Sequence, residues 1–558
     1  MSRTLKLLLN FFLASIAFTY FVEILLLLLN PQPSLTFGQF FILFADLFLF
    51  YGPIWFIFSS VIFMLIQFFA ERKYPIGIFT PPTIVYFFSF TTLMISIILY
   101  FNYEYYYNFI EGRIKTDFLQ ILFLNLAVVT SSILFVFFKR INRKWTRIAF
   151  ITTFAFFVIH SCNVVTSNNK NRVHSGNSIH ASFKPDNGRA NFTPRRIRVV
   201  LMDSLSLSII NTLASDQKLL NFNEIIQKGV SGQITSFKPN MNLSMINSAL
   251  TGLRPSQFAH HSHQVFKFPY VKNDFDVLPR YIFLRKSPLI SITSYVNRDE
   301  NQYLDFLRSH YETDNRKTTR VIRTPDMEIY SPQSLSVNNR FVLLFPDVAR
   351  HLEENDPNYN IIKKYFFMDD YIKKSIPVLK DSSIFYCIAQ LPGLDVVSKY
   401  LYRYHYPLLF ESNTREDEPT QKYGGLLSKY YEYYDSILGN LMSTTGDDEL
   451  LVIMSFYEYH PLPLWRRILV HLFGQKNVYA YIPLHAKGTI LLYEKNALKK
   501  GYPLKNISIF DIYPTLLYYS GFQLPPDLPG EVIKEIFTDE FLLNNPIDLN
   551  PRESLIQN

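Results

Sequence analysis

Cysteine and charge are scarce in this chain. Only two of its 558 residues are cysteine, Cys162 and Cys387, and only 18% of its residues are charged. A structural disulfide is not expected, since Cys162 lies near a hydrophobic run, and cysteine usage leaves the redox compartment open. The sequence also has no Walker-type loop, no dinucleotide fingerprint and no internal repeat. These absences remove the commonest nucleotide-binding and repeat architectures.

Basic residues are in excess, but they form no long run in the second part of the chain. The net charge is +9, from 55 Lys and Arg against 46 Asp and Glu. Residues 1–165 hold 11 basic and 6 acidic side chains, so the remaining 44 basic and 40 acidic residues nearly balance. A nucleic-acid-binding surface would need a clustered basic patch. We therefore expect no nucleic-acid partner.

Hydrophobic residues are abundant and concentrated in the first 165 positions. The chain is 48% hydrophobic and 16% aromatic, which excludes intrinsic disorder and collagen-like repeats. A helix needs about 20 apolar residues to cross a bilayer. Four stretches, 6–29, 80–101, 117–138 and the shorter 147–164, are candidate spans, and 38–70 is either one kinked helix around Gly52-Pro53 or an interfacial segment followed by a span. Glu23 and Asp46 lie inside these spans. We interpret them as helix-to-helix hydrogen-bonding groups, or for Glu23 as a residue near the interface; a transporter that uses both is a third possibility, for which the spans hold few polar partners.

The basic loops set a predicted orientation. Arg3 and Lys6 precede the first span, Arg72 and Lys73 follow the second, and five basic residues between 139 and 147 follow the fourth. Five spans place all of these loops in the cytoplasm and everything after residue 165 outside it. The predicted domains are a transmembrane domain at 1–164, a flexible linker at 165–196 and an extracytoplasmic domain at 197–558.

The pattern of residues 197–558 predicts an α/β domain. Short β-branched runs at 197–202, 383–390, 449–454 and 488–493 alternate with helix-like stretches such as 422–442 and 511–520, which predicts a mainly parallel sheet. Ligands of such sheets bind beyond the carboxyl ends of the strands. Asp203, the segment Leu391–Asp395 and the segment Ser455–Glu458 occupy those places.

These segments, with Asp511–Leu517 and its trailing Gly521, resemble the alkaline phosphatase superfamily in its phosphodiesterase, sulfatase and phosphoethanolamine-transferase branch. The match covers roughly 197–252, 383–407 and 449–535, and 253–382 offers no recognisable motif. The resemblance implies an alkaline-phosphatase-like fold with two divalent metal ions, commonly zinc, and a Thr, Ser or modified Cys nucleophile. It places metal ligands at Asp203, Asp395 and His485.

Four other positions break the pattern. The nucleophile position, counted back from Thr251-Gly252, is Asn242, and the family's remaining ligand positions hold Lys399, Phe456 and Tyr457. An amide cannot form a phospho-enzyme, phenylalanine has no ligand atom, and tyrosine is a poor zinc ligand beside imidazole. We expect Lys399 to neutralise the two carboxylates by a salt bridge in place of the metals.

The sequence therefore predicts a membrane-anchored pseudoenzyme without a cofactor. Its role would be to bind or regulate an envelope protein, or an envelope lipid or glycopolymer, at the bilayer. The alternative is an active phosphodiesterase or phosphoethanolamine-type transferase that uses zinc or another divalent metal with displaced groups. In that case Ser244 would replace Asn242, and Glu458 and His460 would replace Phe456 and Tyr457.

Overall fold

A computed structural model of the chain groups it into two compact units. One contains residues 1–179 and 255–298, and the other contains residues 180–254 and 299–558. The structure describes residues 3–30, 35–70, 81–110, 112–137, 155, 159, 195–257, 264–271, 275, 277–280, 291–294, 319–322, 357–375, 386–410, 420, 423–472, 479–483, 486–522, 524 and 528–546.

The first unit is built on four long apolar helices, α1 (Arg3–Leu29), α2 (Phe37–Ala70), α3 (Pro81–Tyr105) and α4 (Gly112–Phe137). Three stretches in the described part are long and apolar enough to cross a membrane: Leu8–Leu29, Phe37–Leu65 and Ile114–Ser131. Three apolar helices are thus confirmed as candidate spans, and the number of five spans stays a prediction. The fifth, 147–164, lies outside the described residues apart from positions 155 and 159.

Helix α2 decides between the two interpretations of 38–70. It is one helix of 34 residues with Pro53 inside it. Aromatic packing ties it to α1, because the rings of Phe18 and Trp55 stack with their centroids 4.0 Å apart. A stretch that is apolar on both sides of one proline thus continues as a single element.

A later segment of the chain also belongs to the helical unit. Strands β3 (Gln264–Lys267) and β4 (Ser291–Ser294) pair antiparallel there. The Asn30 side chain donates to the Val277 carbonyl at 2.6 Å and accepts from its amide at 2.8 Å. Asn102 makes the same two kinds of bond to Arg280, at 3.1 and 2.7 Å. The predicted boundaries 1–164, 165–196 and 197–558 stay a prediction, and the compact grouping differs from them at 255–298.

The second unit contains a seven-stranded sheet in the order β11-β2-β10-β7-β1-β6-β5. All neighbouring strands are parallel except at β10, which is antiparallel to both β2 and β7. The predicted mainly parallel α/β sheet is therefore present. The strands of this sheet are β1 (Arg196–Met202), β2 (Val230–Thr235), β5 (Thr319–Ile322), β6 (Tyr386–Leu391), β7 (Glu449–Ser455), β10 (Lys487–Tyr493) and β11 (Tyr502–Ser508).

Helices join these strands, and a short two-stranded ribbon follows β7. The helices are α5 (Leu207–Ser215), α6 (Leu220–Lys228), α7 (Asn242–Thr251), α8 (Pro357–Ser375), α9 (Gly393–His405), α10 (Leu426–Ser443), α11 (Leu464–Leu472), α12 (Ile512–Ser520) and α13 (Asp539–Asn544). The ribbon pairs β8 (His460–Pro461) with β9 (Ala480–Tyr481). The main core lies where α5, α6, α8, α9 and α10 pack on the apolar face of the central strands.

The centre of the sheet carries one buried ion pair. Arg198 in β1 and Glu449 in β7 are 2% and 5% exposed, and Arg198 Nη2 lies 2.6 Å from Glu449 Oε1. Arg198 Nη1 also donates to the Thr444 hydroxyl at 3.0 Å, and Glu449 Oε2 accepts from the Gly446 amide at 2.9 Å. Both charges are hydrogen-bonded as well as paired, which is the condition under which buried ions are tolerated.

Candidate functional site

The carboxyl ends of β1, β6 and β7 bring the predicted site residues to one edge of the sheet. Asp203 directly follows β1, Asp395 lies in the first turn of α9 after β6, and Tyr457 comes two residues after β7. The three strands are parallel neighbours, so their carboxyl ends meet. The structure therefore brings these three predicted site residues to one edge of the sheet.

Asp203 is buried and held by two side-chain amides. The Gln390 amide, from the end of β6, donates to Asp203 Oδ2 at 2.7 Å, and the Asn242 amide donates to the same oxygen at 3.3 Å. Asp203 itself is 5% exposed. The carboxylate therefore receives N–H groups, which a bound cation would have to displace.

The predicted nucleophile position is the first residue of α7. Asn242 occupies it, and its amide nitrogen contacts Asp203. Helix α7 ends at Thr251, and the next residue, Gly252, has a left-handed φ of 69°. A Cβ on Gly252 would lie 2.6 Å from the ring of Tyr513. The Thr251-Gly252 pair used to locate Asn242 thus marks a true helix end. The weaker candidate, Ser244, lies inside α7 with none of its surface exposed.

Asp395 is held by tyrosine hydroxyls. The Tyr457 hydroxyl donates to Asp395 Oδ1 at 2.9 Å, and the Tyr459 hydroxyl also hydrogen-bonds to this carboxylate. Burial raises the pKa of Asp395, and the hydroxyls of Tyr457 and Tyr459 and the charge of Lys399 oppose that rise. The pKa of Tyr457 is raised in turn, first by burial and then by the charges of Asp203 and Asp395, so its proton stays on the phenol.

The expected salt bridge of Lys399 is replaced by these hydrogen bonds. Among the described residues the Lys399 ammonium makes no ion pair, and it lies 5.5 Å from the centroid of the Tyr400 ring. Its attraction still lowers the pKa of Asp395. A phenol can satisfy the carboxylate at short range without the cost of burying a second charge, which explains why neutral donors take this place.

Glu458 and His460, the candidate displaced ligands, interact with each other. Glu458 Oε1 lies 3.5 Å from His460 Nε2, and Glu458 also accepts a hydrogen bond from the Ser206 hydroxyl. Burial alone would raise the pKa of Glu458, but the hydrogen bonds from His460 and Ser206 hold it below its usual value. These two residues form their own polar group beside the site.

A further buried carboxyl, missed by sequence reasoning, lies behind α9. Asp369 of α8 is fully buried, and it accepts from Tyr430 at 2.7 Å, from Tyr434 at 2.9 Å and from the Gly393 amide at 3.2 Å. Burial raises the pKa of Asp369 to about 7, and the charge of Asp203 contributes to that rise. The signal available in the sequence was an acidic pair inside an otherwise amphipathic helix, which is weak.

The glycine of the Leu391–Asp395 segment has a steric role. A Cβ on Gly393 would lie 2.0 Å from the Tyr430 hydroxyl and 2.1 Å from Asp369 Oδ2. Any side chain there would displace both groups. This close approach places the first turn of α9, and with it Asp395, at the sheet edge.

The Asp511–Leu517 segment, the most specific motif of the sequence, is held by structural contacts. The Asp511 carboxylate accepts from the amides of Ser508 at 2.8 Å and Glu531 at 3.0 Å. The Thr515 hydroxyl accepts from the Ile533 amide at 3.0 Å. The motif therefore closes the start of α12 and fixes the loop at 530–533.

The donor set of the described residues does not fit a two-metal centre. The described part of the chain contains no group of three or more His, Cys, Asp or Glu side chains able to hold a metal ion. Phe456 is buried and has no ligand atom, and Tyr457 donates to the carboxylate beside it. His485 lies outside the described residues. Amide and phenol protons thus occupy the carboxylate oxygens on which metal ligation would depend.

The chain has distant similarity to solved structures of other proteins. The chain is similar to the phosphonate monoester hydrolase from Silicibacter pomeroyi, at 13% sequence identity and a TM-score of 0.31, over 61% of this chain and 76% of that one. It is also similar to an inactive variant of murine ectonucleotide pyrophosphatase/phosphodiesterase 5 in complex with AMP, at 11% identity and a TM-score of 0.33, over 62% of this chain and 100% of that one. No protein-family model and no curated protein matches the sequence.

Proposed function

We propose that this chain is a membrane-anchored pseudoenzyme of alkaline-phosphatase-like design, whose sheet unit binds or regulates a partner in envelope lipid or glycopolymer modification. The observation that carries the proposal is the pairing of Asp203 with two amides and of Asp395 with phenols. Each carboxylate has neutral hydrogen-bond donors where the resemblance implies a metal ion. A site satisfied in this way can keep the fold together without catalysis.

The nucleophile position supports the same conclusion. Asn242 directs its amide nitrogen at Asp203, so it acts as a hydrogen-bond donor to that carboxylate. A phosphoryl- or sulfuryl-transferring enzyme needs an ionisable hydroxyl or thiol at this point, activated by a neighbouring base or metal. Ser244 does not supply one, because it is fully buried within α7.

The experiment is a metal and turnover measurement on the full chain in detergent. We expect substoichiometric zinc, manganese and magnesium by mass spectrometry after dialysis against buffer that contains zinc. We also expect hydrolysis of bis(p-nitrophenyl) phosphate no faster in the wild type than in Asp203→Ala. Asp447→Ala is the matched control, since Asp447 is an exposed acid that pairs with Lys495.

Stoichiometric metal together with turnover, both lost in Asp203→Ala and kept in Asp447→Ala, would overturn the pseudoenzyme proposal. That outcome would establish the alternative, an active metal-dependent phosphodiesterase or phosphoethanolamine-type transferase with displaced ligands.

We also propose that the N-terminus is cytoplasmic and that the sheet unit lies outside the cytoplasm. The basic loops carry this orientation. Contacts within the helical unit support it, since residues 277–280 bond to Asn30 just after α1 and to Asn102 near the end of α3. The carboxyl ends of α1 and α3 therefore share one side with a segment of the later chain.

Thiol labelling in intact cells tests the orientation. In a Cys162→Ser background, we expect a membrane-impermeant maleimide to label Leu220→Cys, an exposed position on α6, and to spare Arg72→Cys in a predicted cytoplasmic loop. The reverse pattern would invert the proposed topology. Labelling of both after permeabilisation is the control for expression.

A further inference from the structure

Helix α11 carries three apolar side chains on the outside of the sheet unit. Leu464, Trp465 and Ile468 are 51%, 58% and 54% exposed, and their spacing places them on one face of the helix. Leu408 and Leu409, in a neighbouring turn, are 72% and 50% exposed. We call these five residues the apolar ridge.

Arg467 connects α11 to the turn at 407–410 by two contacts. Arg467 donates to the Leu409 carbonyl at 3.3 Å, and its guanidinium lies 4.9 Å from the Phe410 ring centroid. The turn at 407–410 is therefore packed directly against α11. The exposed leucines of the turn and the exposed face of the helix therefore lie near each other on the sheet unit.

Both arginines of α11 contact neighbouring groups of the sheet unit. Arg467 is turned onto the domain, where its Nε donates to the Leu462 carbonyl at 2.9 Å. Arg466 lies over the rings of Trp465 and Tyr481, with its guanidinium 5.0 and 4.8 Å from their centroids. A solvated surface helix normally turns its apolar face inward and its charges outward. Over 464–468, where its side chains are described, this helix keeps both arginines in contact with the domain and presents Leu464, Trp465 and Ile468 to the outside.

Basic side chains flank the apolar ridge. Arg466 and Arg467 lie on α11 itself, Arg403 donates to the Tyr479 hydroxyl beside the Phe410 ring, and the described residues 459–472 contain no Asp or Glu. A surface that combines exposed apolar residues, tryptophan and flanking arginine is typical of helices that lie in a membrane interface. Tryptophan and tyrosine are the residues enriched at the level of the lipid headgroups.

A bilayer is also within reach of the sheet unit. Helix α4 ends at Phe137 and β1 begins at Arg196, so 58 residues connect them. The sheet unit is part of the same chain as the apolar helices, so it stays at a high local concentration beside any bilayer in which those helices lie.

We propose that the apolar ridge docks on the phospholipid bilayer that the protein itself spans, with Leu464, Trp465 and Ile468 inserted at the headgroup level and Arg466 beside lipid phosphates. The surface is independent of the proposed pseudoenzyme site. Docking at this place would keep the sheet unit on the membrane surface, where lipid-linked molecules are reached without diffusion into solution.

The chain contains only three tryptophans, which makes a direct test practical. In a Trp55→Phe and Trp145→Phe background, Trp465 becomes the only indole of the full chain, reconstituted in nanodiscs of phosphatidylcholine and phosphatidylglycerol. We expect its emission to be quenched when acyl-brominated lipid replaces ordinary lipid. Two further single-tryptophan variants, which also carry Trp465→Phe, set the scale: Ile57→Trp on α2 for the bilayer, and Leu220→Trp, an exposed position on α6, for water.

Quenching of Trp465 close to that of Ile57→Trp, with Leu220→Trp unquenched, supports the proposal. Quenching of Ile57→Trp without quenching of Trp465 overturns it and leaves a protein partner as the occupant of the ridge. Loss of quenching at all three positions also overturns it, since the helices would then not lie in the bilayer. We expect Arg466→Gln to lower the ratio of docked to undocked protein about fivefold in this anionic bilayer, because one basic residue near such a surface contributes ~1 kcal/mol.

A second measurement uses the unaltered chain, in case the tryptophan background does not fold. In nanodiscs that contain a lipid with a photoactivatable acyl chain, we expect cross-links within 464–472, found by mass spectrometry of the digested protein. Cross-links confined to α1–α4 would overturn the proposal without any substitution.

Discussion

The buried carboxyl of Asp369 leads to a quantitative prediction about pH. Burial raises the pKa of Asp369 from 3.8 to about 7, against the hydrogen bonds from Tyr430, Tyr434 and Gly393. In the unfolded chain the carboxyl loses its proton near pH 4. The stability that the protonated carboxyl provides is therefore fully present below pH 4, and it is lost as the pH rises towards 7.

The size of the effect follows from the pKa difference. A rise from 3.8 to about 7 corresponds to about 4 kcal/mol of unfolding free energy between the two ends of the window. Asp369→Asn mimics the protonated carboxyl, because an amide can still accept from Gly393 and donate to the tyrosine oxygens. We expect the variant to lack this part of the pH dependence and to be the more stable protein at pH 7.5.

The buried thiol of Cys387 in β6 provides the assay. Cys387 is 3% exposed, so in a Cys162→Ser background a thiol-reactive fluorophore reports the unfolding of the sheet unit. At roughly 2 °C per kcal/mol, the melting midpoint of wild type relative to Asp369→Asn should fall by about 8 °C between pH 4 and pH 7.5. Asp447→Asn is the control. Lys495 lowers the pKa of that exposed acid, so the stability that Asp447 contributes rises with pH instead of falling. Parallel midpoints for wild type and Asp369→Asn over this range would refute the reasoning.

Three further substitutions test the packing around the site, each read as the melting midpoint by the same assay. Gly393→Ala should cost about 1–3 kcal/mol, because its Cβ would meet Tyr430 and Asp369 at 2.0 and 2.1 Å; Gly425→Ala, with nothing within 4 Å of its Cβ, should not. Arg198→Met should cost about 3–5 kcal/mol, because it leaves Glu449 buried without its partner. The double variant Arg198→Met, Glu449→Leu should recover much of that loss. A double variant as unstable as Arg198→Met alone would show that the unpaired charge is not the cause. Tyr457→Phe should cost about 1–3 kcal/mol at pH 7.5 and less at pH 4, since Asp395 loses a donor to its charged form; a cost independent of pH would show that the phenol does not stabilise the carboxylate.

The sequence predicted well those features that depend on local patterns. Asp203 and Asp395 were located because each follows a short apolar strand, and parallel strands bring such positions to one edge. Thr251-Gly252 was located through the family resemblance, and the left-handed Gly252 does cap a helix, as glycine commonly does. The apolar helices were visible because bilayer thickness imposes a length.

The partners of these residues could not be predicted, because they come from distant parts of the chain. Gln390 lies 187 positions from Asp203. The only cue to it in the sequence is that it is a polar residue in an otherwise apolar strand. Tyr457 was interpreted as a lost ligand, and its phenol instead donates to Asp395. The salt bridge expected from Lys399 rested on helical spacing alone, which gives proximity and does not decide between competing donors.

The bonds of Asn30 and Asn102 to residues 277–280 have a consequence for dissecting this protein. The chain leaves the sheet unit after residue 254, contributes β3, β4 and residues 277–280 to the helical unit, and then returns to the sheet. A truncation that begins at 195 would retain this excursion and remove the asparagines that its backbone binds. Without those asparagines the backbone amides of Val277 and Arg280 would need water or another chain as acceptor. A fragment of the sheet unit is therefore best made by removing 255–298 together with α1–α4.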